Sequence, residues 1–361
     1  MASFKTKVQR IWDGGRTEDG PGAITAGLRF LSFPYGAAVA LRNRLYDRQI
    51  LRQERLPCPV ISVGNLTVGG TGKTPTVIFI ANLLKERGSR PAVLSRGYGG
   101  HAGASVNVVS DGNRILLGWR DAGDEPILIA GAAPGVPVLT GGVRLLTGRV
   151  AIERFGADVL ILDDAFQHRA LFRNLDILLV DTRRPFGNGF VLPRGPLRET
   201  PGTLRRAHLI IRTGEEEGPA APLPAASGLP SFRGIRRPLG LVEAGTGQVL
   251  PLAELKGRRV CAFAGIGRPE AFRESLTGLG ADVASFRAFP DHHPYTRIDI
   301  DALRRLSDES RVVRIVTTEK DAVRLADHAD FLRNLTLLRI GMEISPAEPF
   351  AELIFSRVAV K

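Results

Sequence analysis

A glycine-rich loop between a predicted strand and a predicted helix limits most strongly what this chain can fold into. The apolar run at residues 60–63 leads into residues 64–74, and a helical pattern follows over residues 73–87. In such a loop, successive backbone N–H groups can turn toward an anion, and the helix N-terminus adds its positive dipole end. Strand, glycine-rich loop, Lys-Thr and helix form the context that a nucleotide phosphate loop requires.

We therefore predict that the loop binds the phosphates of ATP. Lys73 is expected to reach the β- and γ-phosphates, and the Thr74 hydroxyl to ligate Mg²⁺. The other predicted phosphate-binding residues are Gly69, Gly70, Thr71 and Gly72. The commonest spacing would place a glycine at position 67, where this chain has Thr67, so Gly69 and Gly70 must supply the flexibility. The alternative is a glycine-rich strand–helix turn without a ligand.

Two carboxylates, Asp163 and Asp164, follow the apolar strand predicted over residues 159–162. In phosphate-loop enzymes an acid at such a strand end orients Mg²⁺ directly or through water. Neighbouring strand residues point to opposite sides, so the two acids are expected to differ in role. We predict both as metal-site residues; the alternative is a solvated strand end.

Short apolar runs alternate with helical patterns from position 59 onward, which predicts an α/β fold. The runs are continuously apolar, as in a mostly parallel sheet with helices on both faces, here of the P-loop NTPase type. A smaller α/β unit is predicted from residue 259, after a hairpin that turns at Gly245-Thr246-Gly247. The predicted parts are an N-terminal amphipathic segment (1–56), a phosphate-loop domain (57–225), a linker hairpin (226–257) and a C-terminal α/β domain (258–361).

The formal net charge of +12 favours an anionic partner, which could be nucleic acid, a lipid surface or a phosphorylated substrate. We expect no nucleic-acid partner, because arginines are scattered, aromatic residues make up only 6% and no nucleic-acid motif is found. Cys58 and Cys261 are too few for a disulfide framework, which indicates a reducing, cytoplasmic location.

The first apolar stretch, residues 24–41, is preceded by no signal-peptide pattern. Gly27, Arg29, Pro34 and Gly36 interrupt it, so we expect no full membrane-spanning helix. Arginines alternate with apolar residues over residues 41–55, a pattern typical of a helix in the membrane interface. The alternative is an ordinary amphipathic helix packed on the domain.

Several ordered motifs occur between about positions 60 and 325. They are residues 64–75 (Gly-Asn-Leu-Thr-Val-Gly-Gly-Thr-Gly-Lys-Thr-Pro), 94–99 (Leu-Ser-Arg-Gly-Tyr-Gly), 123–126 (Gly-Asp-Glu-Pro), 163–168 (Asp-Asp-Ala-Phe-Gln-His), 192–199 (Leu-Pro-Arg-Gly-Pro-Leu-Arg-Glu), 289–293 (Phe-Pro-Asp-His-His) and 317–322 (Thr-Thr-Glu-Lys-Asp-Ala). These motifs resemble those of the tetraacyldisaccharide 4′-kinase family, which phosphorylates a lipid A precursor. They cover most of the chain and are together far more specific than the phosphate loop alone. Ala165 and Arg194 stand where the family pattern has glycine and a small residue.

The resemblance implies transfer of phosphate from ATP, with Mg²⁺, to the 4′-hydroxyl of a tetraacyl glucosamine disaccharide 1-phosphate. It also implies a membrane-associated N-terminal helix, a two-domain cleft and work at an anionic membrane surface, the cytoplasmic face of the bacterial inner membrane. By the same resemblance Asp124 is the expected base, His292 supports it, and Glu125 assists at the metal or holds the loop.

Other polar residues in these motifs are candidates for binding the saccharide or its 1-phosphate. Arginine suits a phosphate because its planar guanidinium group binds two phosphate oxygens at once. For each, loop anchoring is the alternative. The candidates are Arg96, Gln167, His168, Arg194 and Arg198. A competing function for the whole chain is a membrane-associated P-loop ATPase that acts as a switch or positioning factor.

Overall fold

The computed structural model describes residues 8, 11–12, 22–214, 223, 228–310, 312 and 314–358. Most of residues 1–21 and 215–227, which include the start of the predicted amphipathic segment and the end of the predicted phosphate-loop domain, lie outside that description.

The strands, in chain order, are β1 (Val60–Asn65), β2 (Pro91–Ser95), β3 (Asn107–Ser110), β4 (Val138–Thr140), β5 (Val159–Asp163), β6 (Leu175–Asp181), β7 (Leu209–Thr213), β8 (Ser231–Glu243), β9 (Val249–Leu250), β10 (Arg259–Ala264), β11 (Asp282–Ala288), β12 (Arg314–Thr318) and β13 (Leu335–Ser345).

The α-helices are α1 (Ala23–Asp47), α2 (Lys73–Glu86), α3 (Trp119–Ala122), α4 (Asp124–Ala132), α5 (Arg144–Phe155), α6 (Pro269–Gly278), α7 (Arg297–Glu309), α8 (Glu319–Arg324), α9 (Ala329–Leu332) and α10 (Ala347–Val358). Short 3₁₀ turns occupy Pro201–Arg206, Leu252–Leu255 and Ala326–His328.

The chain divides into two compact units. The first comprises residues 1–94, 143–235 and 343–361, and the second residues 95–142 and 236–342. In the first unit the strand order β8-β7-β6-β1-β5-β2 is parallel throughout. Every residue of β1, β5 and β6 is buried, as expected for a parallel sheet with both faces covered. The predicted mostly parallel α/β fold is confirmed.

In the second unit, β11, β10, β12 and β13 pair in parallel in that order. An antiparallel pair, β3 with β4, belongs to the same unit. Its core includes a cluster of aromatic side chains around Phe263, Phe289, Tyr295 and Phe331. The predicted hairpin is present, because β8 and β9 pair antiparallel on either side of the turn that contains Gly245.

Helix α1 is continuous from Ala23 to Asp47, with Pro34 inside it. The expectation that glycines and Pro34 interrupt this stretch is therefore wrong. Proline removes one helical hydrogen bond, but side chains on either side of it are held: Ser32 donates to the Val191 carbonyl (3.0 Å) and Tyr35 to the Arg198 carbonyl (3.0 Å). By length and composition alone, residues 24–47 could cross a membrane.

The basic pattern over residues 41–55 does not continue as one helix. Gln49 adopts a left-handed backbone (φ 58°), and the Ile50 amide donates to the Leu45 carbonyl (2.9 Å). A left-handed residue followed by an amide that donates a hydrogen bond to a carbonyl five residues earlier is a common way to end a helix. Arg48, Arg52 and Arg55 therefore lie beyond α1, and the prediction of a single basic helix is corrected.

Candidate active site

The phosphate loop of the first unit joins buried strand β1 to helix α2. Gly72 is the N-cap of α2 and has a left-handed backbone (φ 95°), a conformation that a residue with a Cβ rarely adopts. Lys73 and Thr74 are consequently the first two residues of the helix, where the backbone N–H groups and the helix dipole favour an anion. Thr71 is buried within the loop. The structure thus places all six predicted phosphate-binding residues in one loop and helix start.

Asn65, the last residue of β1, organises this loop. Its side chain is fully buried, donates to Thr71 Oγ1 (3.0 Å) and accepts from Lys73 Nζ (3.2 Å). Gln167 Nε2 donates to the Asn65 carbonyl (2.9 Å). Gln167, predicted to bind substrate, therefore holds the strand end through its amide nitrogen. Sequence reasoning missed Asn65, although it stands directly before the glycine-rich loop.

Asp164 lies between two cations. Lys73 Nζ is 3.6 Å from Asp164 Oδ1, and Arg198 Nη1 donates to the same oxygen at 2.7 Å. Burial would raise the pKa of Asp164, but the charges of Lys73 and Arg198 and their hydrogen bonds outweigh it and hold this pKa below its ordinary value. Asp164 is therefore ionised at neutral pH and takes part in a Lys–Asp–Arg group beside the phosphate loop.

Asp163 and Asp164 have different surroundings, and only Asp163 belongs to β5. It is the last residue of β5, pairs with Val63 in the parallel register and is only 3% exposed. Asp164 follows it with a left-handed backbone (φ 49°), which ends the strand. The two acids consequently have distinct surroundings within the first unit.

The remaining predicted substrate residues are placed in three ways. Arg194 lies over the ring of Phe190 (3.5 Å to the centroid), and its amide donates to Ser32 Oγ of α1 (3.0 Å). His168 is half-buried next to Gln167, and its carbonyl accepts from Arg173 (2.8 Å). Arg96 belongs to the second unit and is exposed directly after β2.

In the second unit, Asp124 begins helix α4 and is only 3% exposed. Gly123 (φ 86°) turns the chain before the helix, and the two acids in its first turn, Asp124 and Glu125, complement the helix dipole. A Cβ at Gly123 would lie 2.6 Å from the Tyr98 carbonyl, so the close turn requires glycine.

Asp124 accepts a hydrogen bond from the His292 ring, with 2.9 Å between Oδ2 and Nδ1. The buried Arg324 guanidinium also faces Oδ2, at 3.6 Å from Nε. Burial would raise the pKa of Asp124, but the His292 hydrogen bond and the charges of Lys320 and Arg324 hold it below the ordinary value. Asp124 is consequently an ionised carboxylate at neutral pH.

Glu125 and His293 have separate partners. Glu125 Oε1 lies 3.5 Å from Lys320 Nζ. His293 Nε2 lies 3.1 Å from Asp299 Oδ2, and Asp299 also forms the capping box of α7 with Thr296. Of the two adjacent histidines, His292 therefore joins the Asp124 group, whereas His293 supports a helix start.

Comparison with known proteins identifies the family. The family model described as tetraacyldisaccharide-1-P 4′-kinase matches residues 24–359. The chain belongs to this kinase family. The resemblance seen in the motifs is confirmed.

Relatives of this kinase match over nearly the whole length. A tetraacyldisaccharide 4′-kinase from Syntrophus aciditrophicus is 50% identical over 98% of both chains. One from Anaeromyxobacter dehalogenans is 46% identical, over 88% of this chain and 86% of the relative. A solved structure of LpxK from Aquifex aeolicus in complex with ATP has a TM-score of 0.78 and 34% identity, and covers 93% of this chain and 99% of that one.

The kinase also contains site residues that its motifs did not single out individually. Arg324, 2% exposed, donates to Asp321 Oδ1 (2.7 Å) and to the Gly265 carbonyl (2.9 Å) behind Asp124. Lys320 Nζ lies within 3.6 Å of Glu125, Asp291 and His292. The partners of Lys320 are distant in sequence, so the motif at residues 317–322 did not reveal them.

Proposed function

We propose that this kinase transfers the γ-phosphate of ATP to the 4′-hydroxyl of a tetraacyl disaccharide 1-phosphate, a lipid A precursor. The observation that carries the proposal is the hydrogen bond between buried Asp124 and His292. A sugar hydroxyl is weakly acidic, and a positioned base helps as the new bond to phosphorus forms. Family membership supplies the identity of the hydroxyl.

The phosphate loop holds the transferring group. Loop amides and the start of α2 bind phosphate oxygens, and Lys73 neutralises their charge. In the structure Lys73 is held by Asn65 and Asp164, which keeps its ammonium group beside the loop. Phosphoryl transfer depends chiefly on this kind of positioning and charge neutralisation.

The residues present fit a Mg²⁺ ion, which would neutralise charge on the phosphates. Mg²⁺ prefers hard oxygen ligands and is usually shared between one or two protein groups, waters and substrate phosphates. The Thr74 hydroxyl and the Asp163 carboxylate of the first unit would hold it. Glu125 belongs to the second unit, where its carboxylate faces Lys320. Asp164 already forms ion pairs with Lys73 and Arg198, so we assign it to balancing their charge rather than to direct ligation of Mg²⁺.

Asp124 is the proposed base. His292 and Arg324 both face Oδ2, so Oδ1 is the oxygen assigned to receive the proton of the acceptor hydroxyl. His292 orients the carboxylate, and the lowered pKa keeps Asp124 ionised before the reaction.

Arg194, His168 and Arg96 are the proposed contacts to the saccharide or its 1-phosphate. Buried Arg194 Nη1 has no hydrogen-bond partner in the described part of the chain, which supports Arg194 in particular. Gln167 Oε1 is likewise buried without one. Arg198 is engaged by Asp164, so we assign its charge first to that acid.

Helix α1 is proposed to place the kinase on the membrane that holds its substrate. Phe30 and Phe33 are 78% and 80% exposed, and Ile24, Leu31 and Leu41 are exposed as well. Arginines near the helix end suit an anionic lipid surface. The reducing environment suggested by two unpaired cysteines favours the cytoplasmic face of the inner membrane. Nucleic acid is not a proposed partner.

The experiment that tests the function follows ADP formation by the purified kinase in detergent micelles, with and without tetraacyl disaccharide 1-phosphate. We expect turnover to depend on the lipid acceptor. The switch-ATPase alternative instead expects ATP hydrolysis with membrane or protein alone. Lipid-independent hydrolysis with no phosphorylated lipid would refute the kinase proposal.

A further inference from the structure

Asn65 ends β1 directly before the phosphate loop, and it is fully buried. Its side chain contacts both Lys73, with 3.2 Å between Nζ and Oδ1, and Thr71, with 3.0 Å between Oγ1 and Nδ2. Its carbonyl accepts from Gln167 Nε2 (2.9 Å), which fixes the backbone at the strand end. Asn65 is therefore held in one position between Lys73 and Thr71.

The chemistry of these two partners determines how the Asn65 amide is oriented. An ammonium group can only donate hydrogen bonds, so the atom that faces Lys73 must be the side-chain oxygen. The amide nitrogen, which only donates, then faces Thr71 Oγ1. Thr71 Oγ1 is consequently the acceptor of this hydrogen bond, and its own proton points away from Asn65.

Thr71 has two hydrogen-bond donors, its backbone amide and its hydroxyl group. The amide donates to the Gly69 carbonyl (3.1 Å), so it is engaged within the loop itself. Among the residues that the structure describes, the Thr71 hydroxyl has one partner, the Asn65 amide that donates to it. The hydroxyl proton is therefore the donor that Thr71 can offer to a phosphate oxygen, which is a strong acceptor.

Asn65 also leaves Lys73 able to bind a phosphate. The ammonium group has three donors, and within the described part of the chain they meet Asn65 and, at 3.6 Å, Asp164 Oδ1. One donor thus remains for a phosphate oxygen. Because the Asn65 amide is neutral, it orients the ammonium group without cancelling its charge, whereas a second carboxylate at this place would cancel it.

We infer that Asn65 is a positioning residue for ATP, acting through Thr71 and Lys73. By donating to Thr71 Oγ1 and accepting from Lys73 Nζ, it directs the Thr71 hydroxyl proton and an ammonium proton toward the phosphates. The Thr71 hydroxyl, rather than the Thr71 amide, is the group that contacts the nucleotide. This inference rests on the proposed function and deepens it at the phosphate loop.

The first test concerns the Thr71 hydroxyl and measures the affinity for ATP with Mg²⁺ by isothermal titration calorimetry, without a lipid acceptor. Thr71→Val retains the shape of the side chain but removes the hydroxyl. It should weaken ATP binding by about tenfold or more, as expected when a hydrogen bond to a charged group is lost. Thr71→Ser retains the hydroxyl and should restore most of the affinity. Equal affinities of Thr71→Val and Thr71→Ser would overturn the inference.

The matched control for these variants is Ser62→Ala. Ser62 is fully buried on the same strand as Asn65, and its hydroxyl has no hydrogen-bond partner in the described part of the chain. The control should bind ATP as the wild type does. An affinity loss in Ser62→Ala as large as that in the Asn65 variants would overturn the inference, because any change in the buried strand would then suffice.

The second test reverses the orientation with Asn65→Asp. A carboxylate only accepts hydrogen bonds, so it should attract the Thr71 hydroxyl proton away from the phosphates and neutralise Lys73 further. This variant should weaken ATP binding by about tenfold or more. Adding Thr71→Val to it should then cost little, because contacting groups that act as a unit are not additive.

Asn65→Ala, which removes both side-chain contacts without adding a charge, supplies a second background. There too, Thr71→Val should cost less affinity than it does in the wild type. Wild-type affinity in a folded Asn65 variant, or an equal cost of Thr71→Val in every folded background, would overturn the inference. Failure of the wild type to phosphorylate the disaccharide would refute the proposed function, whereas the ATP affinities decide the role of Asn65 separately.

Discussion

Replacement of Asp124 by asparagine is the sharpest perturbation of the proposed chemistry. The substitution retains the shape of the side chain but removes the group that would accept the proton. A positioned general base contributes about 10²- to 10⁴-fold, so kcat should fall by that factor, or about 2.7–5.4 kcal/mol of barrier. The KM for ATP should change little, because the base acts mainly in the transition state.

The structure also limits the effect of this substitution on stability. Arg324 would lose a partner 3.6 Å away but keep Asp321 at 2.7 Å, so its buried charge stays paired. The free energy of unfolding should therefore fall by only about 1–3 kcal/mol, the cost of a weakened buried hydrogen-bond group. The folded fraction of the variant should remain high enough for kinetics.

The assay measures phosphate transfer to the lipid disaccharide over a range of ATP concentrations, with urea unfolding of the same preparations. Asp121→Asn is the matched control, since Asp121 is an exposed acid three residues earlier. Near-normal kcat in Asp124→Asn would remove Asp124 from the mechanism. A loss of kcat fully explained by unfolding would refute the reasoning in a different way.

Three further predictions concern stability, pH and the membrane. Glu199 is fully buried and pairs with Arg42, Asn43 and Arg206. In urea titrations, Glu199→Ala should therefore lower the free energy of unfolding by about 3–5 kcal/mol. The control Glu352→Ala, at an exposed site, should change it by less than about 0.5 kcal/mol. The pKa values of Asp124 and Asp164 are lower in the folded chain than the ordinary 3.8, so the unfolded chain binds more protons as the pH falls. The stability that these acids contribute should be complete above about pH 5 and should fall as the pH drops below 3.8. Equal urea midpoints at about pH 6 and pH 3 would contradict this prediction. The double variant Phe30→Glu/Phe33→Glu should lower the affinity for anionic vesicles by about tenfold or more in sedimentation assays, because each substitution removes an aromatic contact with lipid. The control Ile298→Glu, at a 78% exposed site in the second unit, should leave this affinity unchanged. Equal binding of both variants would exclude α1 as the membrane-docking surface.

The phosphate loop was predictable because its chemistry is local. Consecutive residues 69–74 carry the glycines, the lysine and the threonine, and the strand–helix junction around them follows from hydrophobic patterning. The strand end at Asp163 could be located for the same reason. Family motifs extended this to the Asp124–His292 pair, whose members are 168 residues apart.

The partners of these residues could not be predicted from patterns. Arg198 meets Asp164 across 34 residues, and Lys320 reaches His292 across 28, so both contacts exist only after the sheets have formed. Arg198 was consequently predicted as a substrate contact, and Lys320 was not singled out. The expectation that Pro34 interrupts the helix failed for a related reason. Hydrogen bonds to the distant residues 191 and 198 hold α1 on both sides of this proline.

The site of phosphate transfer provides the most direct test. The kinase would be incubated with γ-³²P-labelled ATP, Mg²⁺ and tetraacyl disaccharide 1-phosphate, and the lipid product analysed by NMR for the position of the new phosphate. We expect labelled phosphate on the 4′-oxygen, with Lys73→Ala lowering its formation sharply while the chain stays folded. Label found only as inorganic phosphate, on another hydroxyl, or equally with Lys73→Ala would contradict phosphoryl transfer from this loop to the 4′-hydroxyl.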